Sequence, residues 1–195
     1  MPLDEQYWSN RYLSNDTGWD AGTATPALKE YISQLTDKNN SILIPGCGNG
    51  HEAAFLLQHG FTNITLVDIS VVLCSQLQQQ LKDAPPGLQI ICADFFELTG
   101  GYDLILEQTF FCALDPSLRK DYAAKMQQLL KPAGKLVGLL FNKHFESGPP
   151  FGGDEAEYRR LLEPYFTIKV MEPCYNSIVP RAGAELFIHL SRKSG

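Results

Sequence analysis

Short apolar runs alternate with apolar stripes of helical spacing along this 195-residue sequence. Pro26 opens the first stripe, with Leu28, Tyr31, Ile32 and Leu35 on one helical face. Ser41 to Ile44 is a short apolar run stopped by Pro45, which predicts a buried strand. A glycine-rich turn follows, then a helix from about His51 to His59, stopped by Gly60. Ile64 to Val67 is a second strand ending in Asp68, and Ser70 caps a helix to about Lys82. Leu88 to Cys92 and Tyr102 to Leu106 are the third and fourth strands. Asp115-Pro116 opens a helix to about Leu130, and Pro132-Ala-Gly134 turns into a fifth strand, Lys135 to Phe141. After a Gly/Pro-rich loop, Asn142 to Gly153, Asp154 and Glu157 form a capping-box pattern before a helix to about Glu163. Phe166 to Glu172 and Ala184 to Leu190 close the chain as strands with no helix between them.

This alternation predicts an α/β fold: a single-domain, Rossmann-like, mostly parallel seven-stranded sheet with helices on both faces and an antiparallel C-terminal strand. One domain, 1–195, is expected from the length, with an aromatic segment 1–25 ahead of a core 26–195. Such sheets bind ligands beyond the carboxyl ends of their strands, so the residues just after each strand carry the interest.

Composition narrows the partners. Sixteen Lys and Arg against 22 Asp and Glu leave a formal charge of −6, which opposes nucleic-acid binding. No apolar run approaches the roughly 20 residues of a membrane span. The first 20 residues are charged and lack the apolar stretch of a signal peptide, so a cytoplasmic protein is expected. Five cysteines form no CxxC pair and the four histidines are scattered, which argues against a metal site. Cys47, Cys74 and Cys92 fall in apolar or glycine-rich settings and read as buried thiols.

The chemistry concentrates at the strand ends. Gly46, Gly48 and Gly50 alternate in Pro-Gly-Cys-Gly-Asn-Gly-His51, letting backbone approach a ligand and turn into a helix N-terminus. The dinucleotide pattern G-x-G-x-x-G is not met, because its sixth place is His51. G-x-G-x-G is the spacing of S-adenosylmethionine-dependent methyltransferases. Asp68, 22 residues after Gly46, is placed to accept ribose hydroxyls. Asp94, in Ala-Asp-Phe-Phe96, could receive an adenine amino group. Glu107 and Gln108 end the fourth strand and face either a cofactor or the next helix start. Trp8, Tyr12 and Trp19 suit an aromatic lid over a sulfonium and an adenosyl group, or simple packing of an N-terminal helix.

Together these residues resemble a class I methyltransferase over nearly the whole chain, and more narrowly the thiopurine S-methyltransferase family, in its halide and thiol branch. The segments that carry the likeness are Trp8 through Thr17-Gly-Trp-Asp-Ala-Gly22, Thr25-Pro26, Ile44 to His51, Asp68-Ile-Ser70, Asp94-Phe-Phe96, Tyr102 to Ile105, Phe111-Cys-Ala113, Leu130-Lys-Pro132 and Gly148-Pro-Pro150. The resemblance implies S-adenosyl-L-methionine as cofactor, S-adenosyl-L-homocysteine as product and a small soft nucleophile (thiol, thiopurine or halide) as methyl acceptor. It implies an aromatic lid of Trp8, Tyr12 and Trp19. Gly46 would meet the methionine portion, Asp68 the ribose, and Asp94 with Phe95 the adenine, with Gly48 and Ile69 also among the cofactor-binding residues. Tyr12 stands where the branch usually has Trp, and Gln108 and Phe141 stand where it tends to have Tyr. Gln108 is the remaining cofactor contact and Phe141 the acceptor-pocket residue. Soft nucleophiles need little proton removal, and no general base is assigned. An NAD(P)-binding oxidoreductase and a non-catalytic S-adenosylmethionine-binding module are the alternatives.

Overall fold

The computed structural model describes residues 2–193. The chain divides into two compact units, Met1–Leu98 and Thr99–Gly195, whose end residues Met1, Ser194 and Gly195 lie outside the described residues. The expected seven-stranded, mostly parallel sheet is present.

In the first unit, helix α1 (Glu5–Leu13) begins at Asp4, whose carboxylate accepts the Tyr7 N–H at 2.9 Å. Helix α2 (Pro26–Ser33) has proline in its first turn, where a missing N–H costs nothing. Strand β1 (Ile42–Pro45) and strand β2 (Ile64–Asp68) are buried at every position, as continuous apolar runs between helical layers should be. They flank helix α3 (His51–Gln58) in sequence. Helix α4 (Val71–Gln80) ends two residues before the expected Lys82. Strand β3 (Leu88–Cys92) is only partly buried and lies at the sheet edge. The order is β3-β2-β1, all parallel, with Ile42 opposite Ile64 and Asp68 opposite Cys92. Cys47 and Cys74 are buried as expected, but the edge position leaves Cys92 exposed.

In the second unit, strand β4 (Tyr102–Gln108) runs two residues past Leu106, carrying Glu107 and Gln108 inside the strand. Asp115 caps a 3-10 turn, Pro116–Leu118, and helix α5 (Arg119–Leu129) starts only after it. Strand β5 (Leu130–Phe141) begins before the expected Lys135. The Pro132–Gly134 turn sits within it as an irregularity: Tyr102 pairs with Leu130, but Leu104 pairs with Lys135. Ala133 takes φ 63° there. Helix α6 (Glu155–Leu162) is capped by Asp154, which accepts the Glu157 N–H at 2.8 Å. The Glu157 carboxylate instead receives the Arg119 guanidinium, so the expected capping box is half made. Strands β6 (Phe166–Pro173) and β7 (Glu185–Arg192) complete the order β4-β5-β7-β6. Strand β7 is antiparallel to both neighbours, which is the antiparallel C-terminal strand expected from the missing crossover helix.

Candidate active site

The glycine-rich turn is left-handed at alternate residues. Gly46, Gly48 and Gly50 have φ of 54°, 51° and 70°, a conformation that disfavours any side chain. Their uses differ. A Cβ on Gly50 would press on Leu77 Cδ2 at 3.2 Å, whereas one on Gly48 would meet only Tyr12 Oη, at 3.8 Å. Gly48 therefore keeps open a space in front of Tyr12 that a side chain would fill.

Asp68 ends β2 beside that turn. Its Oδ1 accepts the Ser70 N–H at 2.9 Å. Burial pushes the carboxyl up to about 6, while the N–H groups of Ser70, Gly48 and Ile69 pull the other way. Tyr12 is buried, and its phenol is held well above the ordinary range by burial first and the Asp68 charge second. The three aromatics of the N-terminal segment meet edge to face: Trp8 and Trp19 at 5.6 Å between centroids, Tyr12 and Trp19 at 5.8 Å. Helix α1 is fastened to the start of α4, where Ser9 Oγ and Ser70 Oγ are 2.9 Å apart and Glu5 accepts from Ser9 at 2.5 Å. The N-terminal aromatic segment is thus packed and hydrogen-bonded onto the start of α4. Asp94 is exposed and accepts the Phe96 N–H at 2.9 Å, while Phe95 is buried beneath it in the chain turn.

Asp20 went unassigned at the level of sequence. It accepts from Asn49, from the Gly22 N–H at 2.7 Å, and meets His51 Nε2 at 2.7 Å. These bonds tie the Gly-Trp-Asp loop to the glycine turn. The signal was the motif itself, an acid set between Trp19 and the turn to Gly22.

In the second unit, Gln108 and Phe141 are both half-buried at the carboxyl ends of β4 and β5. Glu107 is fully buried and serves the turn that follows. Its Oε1 accepts the N–H groups of Phe110 and Phe111, each at 2.9 Å, and its Oε2 accepts Tyr122 Oη at 2.7 Å. Burial pushes it up to about 7, against those three donors. Phe141 packs edge to face on Phe145, and the Arg181 guanidinium lies 5.7 Å from its ring centre. Thr109, Phe111, Cys112, Phe141 and Glu185 meet here around a cleft too tight to hold a water molecule.

A sequence profile described as thiopurine S-methyltransferase matches residues 3–187. The chain belongs to the thiopurine S-methyltransferase family. It is 31% identical over 162 residues to a probable thiol methyltransferase 2 of Arabidopsis thaliana, covering 80% of this chain and 71% of that one. It is 29% identical over 190 residues to thiocyanate methyltransferase 1 of the same plant, covering 94% and 83%. A thiopurine S-methyltransferase of Vibrio cholerae is 30% identical over 177 residues, covering 82% and 81%. Among solved structures, a Burkholderia thailandensis 1,6-didemethyltoxoflavin-N1-methyltransferase with S-adenosylhomocysteine bound has TM-score 0.74 at 20% identity, covering 98% of this chain and 87% of that one. That likeness is one of fold. As a thiopurine S-methyltransferase family member the chain is an enzyme whose methyl donor is S-adenosylmethionine. The nicotinamide and non-catalytic alternatives fall with that membership.

The residues fit the donor. A buried carboxylate at the end of β2 suits a ribose diol, the Gly48 opening suits a ligand close to backbone, and aromatic edges suit a sulfonium. Among the described residues, no helix is long and apolar enough to cross a membrane.

Proposed function

We propose that the chain works as one methyltransferase domain, 1–195, that methylates a small soft nucleophile, sulfur above all, with thiols, thiopurines and thiocyanate or halide ions as the candidate acceptors. The observation that carries the site assignment is Asp68: a carboxylate buried beside left-handed glycines and facing Tyr12. Asp68 and Ile69 would hold the ribose, Gly46 and Gly48 the methionine portion, and Asp94 with Phe95 the adenine. Trp8, Tyr12 and Trp19 would cover the donor, and Gln108 would border its methionine end. When bound, S-adenosylmethionine supplies an electrophilic methyl group for in-line displacement. The chain's own part is to orient the acceptor and exclude water. Phe141 and Phe111 offer apolar walls for a soft sulfur atom, and such a wall disfavours a separated anion and sulfonium more than the neutralising transition state. Five free thiols suit a reducing compartment, and we place the enzyme in the cytoplasm.

Calorimetric titration with S-adenosylmethionine and S-adenosylhomocysteine tests the site, followed by a methyl-transfer screen over thiols, thiopurines, thiocyanate and halides. Binding by the intact chain and its loss in Asp68→Ala are expected. Unchanged affinity in Asp68→Ala would reject the ribose contact.

A further inference from the structure

Cys74 stands early in α4, four residues after its cap Ser70. Cys92 is the last residue of β3, opposite Asp68 at the end of β2. Helix α4 packs against both of those strands. The two thiols lean on one stretch of backbone. Cys74 Sγ lies 3.6 Å from the Asp68 carbonyl oxygen, and Cys92 Sγ lies 3.9 Å from that of Ile69. The Asp68 carbonyl also accepts the N–H of Ala93, the residue after Cys92, at 3.1 Å. The thiols meet each other as well, joined by a hydrogen bond between their side chains. Their exposure differs sharply. Cys74 is 2% exposed, whereas Cys92 is open to solvent at the sheet edge. Cys47, Cys112 and Cys174 are all buried. An open thiol touching a buried one is the arrangement in which the first meets an oxidant and the second resolves it.

We infer that Cys74 and Cys92 are a redox modification site, a thiol pair that hydrogen peroxide closes into a reversible disulfide beside Asp68. In the first step the Cys92 sulfur attacks the peroxide. The O–O bond breaks, the sulfur takes one oxygen as a sulfenic acid, and the other oxygen leaves as water. In the second step the Cys74 sulfur attacks the sulfenic sulfur. The S–S bond forms, the S–O bond breaks, and the hydroxide leaves with the Cys74 proton as a second water. Two thiols are oxidised by two electrons and one peroxide is reduced. Burial pushes the Cys74 thiol above the ordinary range, and the hydrogen bond and charge of Cys92 push it further. Oxidation of Cys92 removes both of its contributions, so Cys74 becomes the better nucleophile when it is needed. Bonding at about 2.05 Å draws the sulfurs together and away from the Asp68 and Ile69 carbonyls. The backbone so disturbed is the one that carries the Asp68 carboxylate, and on the reading that Asp68 holds the ribose, oxidation weakens the hold on S-adenosylmethionine. In a reducing cytoplasm such a bond is transient, as a sensing disulfide must be.

The test treats the full chain with hydrogen peroxide and follows its intact mass and peptide map. The parent should lose two hydrogens, its map should join the peptides of Cys74 and Cys92, and dithiothreitol should restore both thiols. Cys74→Ser should stop at the Cys92 sulfenic acid, captured by dimedone, while Cys92→Ser should keep its remaining thiols at the same dose. Should Cys74→Ser fail to fold, Cys74→Ala is expected to give the same dimedone capture. Five intact thiols in the parent, a bridge between another pair such as Cys47 and Cys74, or a dimer joined through Cys92 would overturn the site. Dimedone labelling of the parent as heavy as that of Cys74→Ser would overturn it too, because Cys74 would then resolve nothing. Calorimetry of the oxidised chain should show S-adenosylmethionine bound about tenfold more weakly, the worth of one hydrogen bond to a charged group, and recovered with dithiothreitol. Equal affinity with the bridge in place would overturn the effect on the cofactor. Absence of S-adenosylmethionine binding by the reduced parent would instead reject the ribose reading, and the bridge would then stand or fall on mass and map alone.

Discussion

Asp20 Oδ1 stands 2.7 Å from His51 Nε2, joining the loop after α1 to the first residue of α3. Asn49 and the Gly22 N–H bind the same carboxylate. One acid therefore holds the segment of Trp19 against the glycine turn. Removing it in Asp20→Ala should weaken S-adenosylmethionine binding by about three- to tenfold, the usual worth of a partly exposed charge-assisted bond. Both tryptophans of the chain, Trp8 and Trp19, sit in the lid, so their fluorescence reports the change directly. Burial tends to raise the Asp20 carboxyl, but Gly22, Asn49 and His51 together hold it below the ordinary range. A depressed carboxyl stabilises the fold above its unfolded value of about 3.9 and loses that contribution as pH falls through the lower folded value. The lid signal should accordingly hold through mild acid and change only below about pH 4.

Asp68 predicts the opposite trend. Its carboxyl is raised to about 6 by burial. A raised carboxyl favours the folded chain while protonated, so without ligand its contribution is full below about pH 4 and is lost as pH rises through about 6. Thermal melting of the ligand-free chain should show that decline, and Asp68→Asn should flatten it. Cofactor hydroxyls need the ionised form, so S-adenosylmethionine affinity should fall as pH drops below about 6, and Asp68→Asn should abolish that dependence.

Glu107→Ala should be among the most damaging single changes in the second unit. It strands the Phe110 N–H, the Phe111 N–H and the Tyr122 hydroxyl in a buried place. The expected cost is about 3–5 kcal/mol, a fall in Tm of about 10 °C for a chain of this size. Chemical denaturation measures it; a loss under about 1 kcal/mol would mean that water replaces the carboxylate.

Gly48→Ala separates conformation from space. The left-handed φ of 51° costs an added methyl group roughly 1–2 kcal/mol. The same methyl would stand before Tyr12 in the opening assigned to the cofactor. A modest drop in Tm with a tenfold or greater loss of S-adenosylmethionine affinity is expected. Gly50→Ala, whose Cβ meets Leu77 instead, should lower Tm more than it lowers affinity.

Much of the fold was readable because its strands are buried runs bounded by turn residues. Ile42–Pro45, Ile64–Asp68 and Leu88–Cys92 fall within a residue of their expected places for that reason. The irregular start of β5 was not readable: Pro132-Ala-Gly134 is a plain turn signal, and only pairing with β4 draws it into a strand. Local pattern suggested a capping box at Asp154, but Arg119, 38 positions away, claims Glu157. The glycine turn and Asp68 announced themselves by spacing. Cys92 failed in the other direction, an apolar neighbourhood in sequence that the sheet edge leaves open.

The placement of β7 between β5 and β6 bears on how the enzyme is made. Among the described residues strand β6 pairs with β7 alone, and β7 leaves the ribosome after it. Residues Phe166–Pro173 must therefore wait, unpaired, until Glu185–Arg192 emerges and slides into the gap. Synthesis exposes that edge for the time needed to add about 20 residues, roughly one to four seconds. Removing β7 would leave two open edges where the finished sheet has none at that position, and aggregation during expression is the failure such a deletion invites.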